Sequence, residues 1–152
     1  MRRKLITVFI LTVAAVSLYY TNRLTMDYYS RNFYNVQITT DKTEITLSKS
    51  EESATFDVSL INNSRKFITS ADNVFLAYHI VDANGADIFY EGARHNIPDI
   101  RPFNKQEAIP MTVLNLDRPG EYIVQLDLVE EGVTWFSMKG NPMREIKLTI
   151  TE

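Results

Sequence analysis

Beyond residue 35, apolar and polar side chains alternate with a period of two. In Ser53–Ile61, Ala54, Phe56, Val58 and Leu60 fall on one side and Thr55, Asp57, Ser59 and Ile61 on the other. In Glu121–Val129, Tyr122, Val124, Leu126 and Leu128 share a face opposite Gln125 and Asp127. Glu145–Thr151 repeats the pattern with Ile146, Leu148 and Ile150. Such alternation predicts strands with one face on a core and one toward water. Val74–Val81 is more continuously apolar, which predicts a central strand. Its His79 lies opposite Tyr78 and Ile80, at the surface or the rim between sheets. Glu44–Ser48, Asp87–Tyr90 and Ile109–Val113 supply shorter strands.

Turn chemistry falls between these runs. Asn62-Asn63-Ser64 ends one strand, and the Asn84-Gly85 pair of Asp82–Gly85 predicts a tight hairpin. Asp82–Asp87 resembles the opening of a calcium loop, but Ala93 stands where the closing Glu is required, so it reads as a turn. Arg101-Pro102-Phe103-Asn104 and Asp117-Arg118-Pro119-Gly120 break the chain before the next two strands. About seven or eight short strands with no helical period predict an all-β fold, a two-sheet antiparallel sandwich over residues 36–152. Tyr122, just after Pro119-Gly120, has the setting of a tyrosine corner, whose hydroxyl bonds back to nearby backbone.

The first 23 residues follow a different rule. Arg2, Arg3 and Lys4 precede the uncharged stretch Leu5–Asn22, and the next charge is Arg23. As a helix that stretch is roughly 27 Å long, close to a hydrocarbon core of about 30 Å. The basic start holds the N-terminus inside. The expectation is therefore one N-terminal transmembrane helix, residues 1–23, inserted through residues 5–22, with the C-terminal domain exported to the periplasm or the exterior. A cleaved signal peptide shares the basic start and apolar run, and Ala15 and Ser17 have cleavage spacing. The bulky Tyr19-Tyr20 argues against cleavage. Membrane-anchored, or cleaved and secreted, both remain open. Residues 24–35 form an aromatic juxtamembrane stalk with Met26, Tyr28, Tyr29, Phe33 and Tyr34, and with neither Gly nor Pro.

Charge divides at the same place. The 152 residues carry a formal −3, but Arg2, Arg3, Lys4 and Arg23 put +4 on residues 1–23, leaving −7 on the remainder. So acidic an exported domain is a poor match for phosphates, which excludes a nucleic-acid partner. The chain has no cysteine, so it holds no disulfide scaffold, thiolate zinc site or cysteine nucleophile. His79 and His95 have no third ligand at a fixed spacing. No Gly-x-Ser-x-Gly or nucleophile–His–acid arrangement occurs, and no cofactor is expected. The Asn62-Asn63-Ser64 sequon matters only where the source glycosylates such sites.

Three stretches carry a resemblance: Ala77–Gly85, then Tyr90-Glu91-Gly92-Ala93-Arg94 with Ile97-Pro98 and Ile100-Arg101-Pro102, then Pro119–Tyr122 running into Leu126–Phe136. Together they resemble the immunoglobulin-like accessory domains found beside bacterial surface-polysaccharide enzymes. More loosely, they are similar to the C-terminal polysaccharide-binding domain of O-antigen ABC exporters. The resemblance spans about residues 43–151, and Glu130-Glu131-Gly132-Val133-Thr134-Trp135-Phe136 is its most specific part. Two departures stand out: the chain has no Gly-rich phosphate loop, and Phe103 stands where such accessory domains carry Gly after Pro. The resemblance implies an immunoglobulin-like sandwich that binds glycan.

Candidate chemistry follows from that implication. An exposed Trp135 indole would stack on a sugar ring, with Tyr90, Arg94 and Glu131 on the same surface serving its hydroxyls. Alternatively Trp135 plugs one end of the sandwich, since an aromatic side chain buries about 150–250 Å². Glu130 and Glu131 are adjacent on a strand and point to opposite faces, which makes them a poor hydrolytic pair. The expected function is a non-catalytic, membrane-anchored, exported binding module, carbohydrate-binding in cell-envelope polysaccharide handling. The alternative is a structural or assembly subunit that docks onto a larger membrane protein complex.

Overall fold

The computed structural model describes residues 10–22, 33–89 and 91–152, and the chain divides into two compact units, Met1–Phe33 and Tyr34–Glu152. In the first unit residues 10–22 are helical, and the Thr21 hydroxyl donates to the Ser17 carbonyl at 2.8 Å. Among the described residues no helix is long and apolar enough to cross a membrane. Residues 5–9 of the expected span and 24–32 of the expected stalk lie outside the described residues.

The second unit is built from β1 (Val36–Thr39), β2 (Glu44–Ser48), β3 (Ser53–Asn62), β4 (Val74–Asp82), β5 (Asp87–Phe89), β6 (His95–Asn96), β7 (Lys105–Leu114), β8 (Gly120–Glu130), β9 (Thr134–Trp135) and β10 (Arg144–Thr151). One sheet has the order β1-β3-β7, and the other the order β2-β10-β8-β4-β5. Both β5 and β6 pair with β4, as two pieces of one interrupted edge, and β9 joins β10 in pairing with β8. Short 3-10 turns at Ser70–Asp72 and Ser137–Lys139 are the only helical pieces among the described residues of this unit.

The predicted alternation lays down the core. Phe56, Val58 and Leu60 of β3 and Met111 and Val113 of β7 are buried, as are Leu76, Tyr78 and Ile80 of β4. Val124, Leu126 and Leu128 of β8 and Ile146, Leu148 and Ile150 of β10 complete it. Each fully buried Leu or Ile contributes about 1.5–3 kcal/mol, and with no cysteine this apolar layer carries the stability. Val74–Val81 is central as predicted, and the Asp82–Gly85 turn closes the β4–β5 hairpin with Gly85 at φ 80°. There the Asp82 carboxylate accepts from the Asn84 and Ala86 amides, which hold it below its ordinary pKa. The Tyr122 hydroxyl donates to the Arg118 carbonyl at 3.0 Å, closing the predicted tyrosine corner.

Several expectations need correction. The sandwich is not wholly antiparallel: β2 runs parallel to β10, Glu44 against Lys147 through Ser48 against Thr151. Alternation reports which face is buried, not which way a neighbour runs. The first strand crosses from one sheet to the other at Thr40–Thr43 and keeps its direction, so it lands beside the last strand running the same way. β7 begins at Lys105 rather than Ile109, because its polar first half hides the pattern and Ala108, at φ 54°, sits beside a register shift between Val58 and Leu60. His79 and Asp127 are both buried, although their face of the sheet was expected to meet water. Residues 134–139 fold back over that face and cover it.

Candidate functional site

Three of the four expected binding residues, Arg94, Glu131 and Trp135, lie around the β8–β9 turn. Gly132, at φ 74°, makes that turn, and the Val133 amide donates to the Glu130 carbonyl at 2.9 Å. The pairing of β9 with β8 sets Trp135 opposite Val129 on the outer face of the larger sheet. It packs there with Val129, Ala77 and the half-buried Phe75. The indole is only 7% exposed. Its centroid lies 4.1 Å from the His79 ring, and the Arg94 guanidinium stands 4.9 Å from it. Trp135 therefore covers a sheet face rather than plugging an end of the sandwich.

Arg94 reaches this position from the segment between β5 and β6. The Gly92 amide donates to the Tyr78 carbonyl at 2.9 Å, which pins the segment against β4. A Cβ on residue 92 would lie 2.6 Å from that carbonyl oxygen, so only glycine allows the approach. Arg94 then donates from Nη1 to the Gly92 carbonyl at 2.8 Å and from Nε to Glu131. Trp135, Arg94 and Glu131 thus share a groove of about 270 Å³, with Glu91, Thr134 and Met138 also on its walls. Tyr90, the fourth expected member, lies outside the described residues.

Beneath the groove is a carboxylate that the alternation pattern assigned to solvent. Asp127 is fully buried and accepts from the Leu128 amide at 2.8 Å and the Ser137 amide at 3.2 Å. Burial pushes its pKa up, while those donors and the nearby His79 work against the rise. The one signal for it in the sequence is Trp135-Phe136, an apolar pair long enough to fold over the strand. The neighbouring glutamates have separate partners: Glu130 accepts from the Tyr34 hydroxyl at 2.7 Å, and Glu131 takes Arg94. Burial and the Glu130 carboxylate raise the Tyr34 phenol to about 12.

His79 and His95 do not converge. His95 bridges the sheets: its Nε2 accepts from the Thr112 amide at 3.0 Å, so Nδ1 keeps the proton and donates to the Ala93 carbonyl at 3.1 Å. Among the described residues no three His, Cys, Asp or Glu side chains gather as metal ligands. The sequon asparagine, Asn62, is fully buried with its amide committed to backbone carbonyls, so the folded chain does not present it for glycosylation.

No family model matches the chain, and no curated protein matches it. Solved structures similar to it include the Pseudomonas fluorescens alkylpurine DNA glycosylase AlkC bound to abasic-site DNA, at 12% identity and a TM-score of 0.49. That match covers 78% of this chain but 31% of the glycosylase chain. The CARDB domain of a Pyrococcus furiosus protein matches at 13% identity and a TM-score of 0.47, covering 77% of this chain and 93% of that domain. A PapD-like domain of human CEP192 matches at 13% identity and a TM-score of 0.36, covering 80% and 87%. All are loose likenesses, and the two-sheet architecture stands on its own strand ladders.

Proposed function

We propose that this chain is a non-catalytic binding module, anchored in a membrane through residues 5–22 and carrying its immunoglobulin-like sandwich on the exported side. The basic Arg2-Arg3-Lys4 start ahead of the uncharged Leu5–Asn22 stretch supports the anchor and its orientation. The groove shared by Arg94, Glu131 and Trp135 supports a ligand of polar, hydroxyl-bearing chemistry, and a cell-envelope polysaccharide is the ligand class that fits the resemblance of these stretches to glycan-binding accessory domains. In this reading Trp135 is the groove's floor, and Arg94 and Glu131 are the groups that meet sugar hydroxyls. The test is binding of the full chain in detergent to arrayed envelope polysaccharides. Retention that falls about tenfold in Arg94→Ala, one or two lost charge-assisted hydrogen bonds, is the expected result. No retention of any glycan, or equal retention of wild type and variant, removes it.

One observation favours a second reading. The indole is buried against His79 and Arg94, so no open aromatic face remains for a sugar ring. A structural subunit of a membrane protein complex needs no such face. Extraction of the full chain from its native membrane in mild detergent tests this: a partner protein in fixed ratio is expected, and a bare monomer rejects it.

A further inference from the structure

The turn that joins β4 to β5 holds the one Asn-Gly pair in the chain, Asn84-Gly85. An asparagine followed by glycine is prone to lose its side-chain amide, because glycine has no side chain to hinder its own nitrogen. The Gly85 nitrogen gives up its proton and bonds to Asn84 Cγ. The Cγ–Nδ2 bond breaks, and ammonia leaves carrying that proton. One water then opens the cyclic imide to aspartate or isoaspartate. Water is the sole co-reactant, and both residues are exposed to it. No packing shields the pair either, since a Cβ on residue 85 would meet nothing within 4 Å.

What restrains the pair is hydrogen bonding, and Asp82 supplies every acceptor. The Gly85 amide donates to the Asp82 carbonyl at 3.0 Å, so the proton that must leave is engaged. The Asn84 amide donates to Asp82 Oδ1 at 2.8 Å and the Ala86 amide to the same oxygen at 2.9 Å, which fixes the backbone on both sides of the pair. The Asp82 amide closes the turn by donating to the Ala86 carbonyl at 2.9 Å. The Gly85 nitrogen cannot shed its proton until its bond to Asp82 breaks.

We infer that Asn84 is a latent modification site: the folded turn keeps it intact, with Asp82 as the positioning residue, and opening of the β4–β5 hairpin releases it to isoaspartate. The product is not neutral for the fold. Isoaspartate lengthens the backbone inside a tight turn whose residue count sets the hairpin register. It also puts a new carboxylate between Asp82 and Asp87. A hairpin that opens and is converted therefore closes less well, so the modification both records opening and promotes it.

The test follows residue 84 in the full chain, held in mild detergent and mildly alkaline buffer, with and without unfolding urea. Peptide mass spectrometry measures the conversion, and labelling by an isoaspartate methyltransferase identifies the product. Folded wild type should convert about tenfold or more slowly than the chain in urea. Asp82→Ala, shown to be folded by its Trp135 emission, should convert about threefold or more faster than wild type. Asp82→Asn keeps a side-chain oxygen acceptor and should stay close to wild type. Asn62→Ala, which loosens the other sheet, should also leave the rate unchanged. Equal rates for wild type folded and in urea overturn the inference, and that comparison decides even where Asp82→Ala does not fold. A folded Asp82→Ala chain that converts no faster than wild type, or an equal acceleration by Asn62→Ala, overturns the role of Asp82 and assigns the protection to global folding.

Discussion

Asn62 shows how much one polar side chain decides in this fold. Its amide nitrogen donates to the carbonyls of Lys66 at 2.7 Å, Ile100 at 3.0 Å and Arg101 at 3.2 Å, and its Oδ1 accepts from the Ser64 amide at 2.9 Å. Removing it strands the buried Ser64 amide and takes one of two donors from each of three carbonyls, which keep Ile68, Asn104 and the Ser64 hydroxyl; a buried group left unpaired costs about 1–3 kcal/mol. Asn62→Ala should therefore lower unfolding free energy by about 2–3 kcal/mol, read from urea midpoints; a change within experimental error would show that water replaces the amide without loss. Asp127 makes the opposite kind of contribution. Burial raises its folded pKa above the unfolded value, so the native state binds its proton more tightly. Its contribution is present at low pH and is lost as pH rises through the raised value. The stability of wild type relative to Asp127→Asn should fall as pH climbs above about 4. Denaturant midpoints of both proteins between pH 4 and 7 measure this, and a difference independent of pH would sink the assignment.

At the scale of elements, the open edge of β7 is blunted three times in a row. Pro110 has no amide hydrogen to offer, the Thr112 amide is taken by His95, and the Leu114 amide donates to the Tyr78 hydroxyl at 3.2 Å. An edge with free amides recruits further strands, and here two side chains from the other sheet occupy them. His95→Ala should cost about 1–2 kcal/mol through the orphaned Thr112 amide and should raise self-association, visible in sedimentation velocity. A variant that is destabilised but stays monomeric would show that Pro110 and Tyr78 guard the edge without help. None of this was legible beforehand, because edge protection depends on which strands end up outermost. The strands themselves were legible wherever one face is apolar throughout, as in β3, β8 and β10. Legibility failed where tertiary cover overrides the face rule, at Asp127 and His79, and where a bulge breaks the count, at Ala108. For the candidate site, three named residues do converge, yet the sequence could not reveal that Trp135 is covered or that Arg94 and Glu131 hold each other.

At the scale of the whole molecule, the boundary of the sandwich belongs one or two residues earlier than the alternation suggests. Tyr34 sits before β1, but its hydroxyl donates to Glu130 and its ring meets Phe136 edge-on at 4.9 Å. It therefore fastens the start of the unit to the end of β8. A chain begun at Phe33 keeps these contacts, and one begun at Asn35 loses them. The lost charge-assisted bond is half-exposed, and together with the ring contact it should leave the shorter chain about 1–2 kcal/mol less stable at pH 7. The difference should also depend on alkalinity in a definite direction. The folded pKa of Tyr34 is raised from 10.0 to about 12, so its contribution is fully present below pH 10 and is lost as pH rises through about 12. Urea midpoints of the two chains at pH 7 and pH 11.5, compared pairwise, isolate that residue from the other groups that titrate in base. Equal stability at pH 7 would mean that the sandwich closes without its first tyrosine, and that the unit begins where the alternation begins.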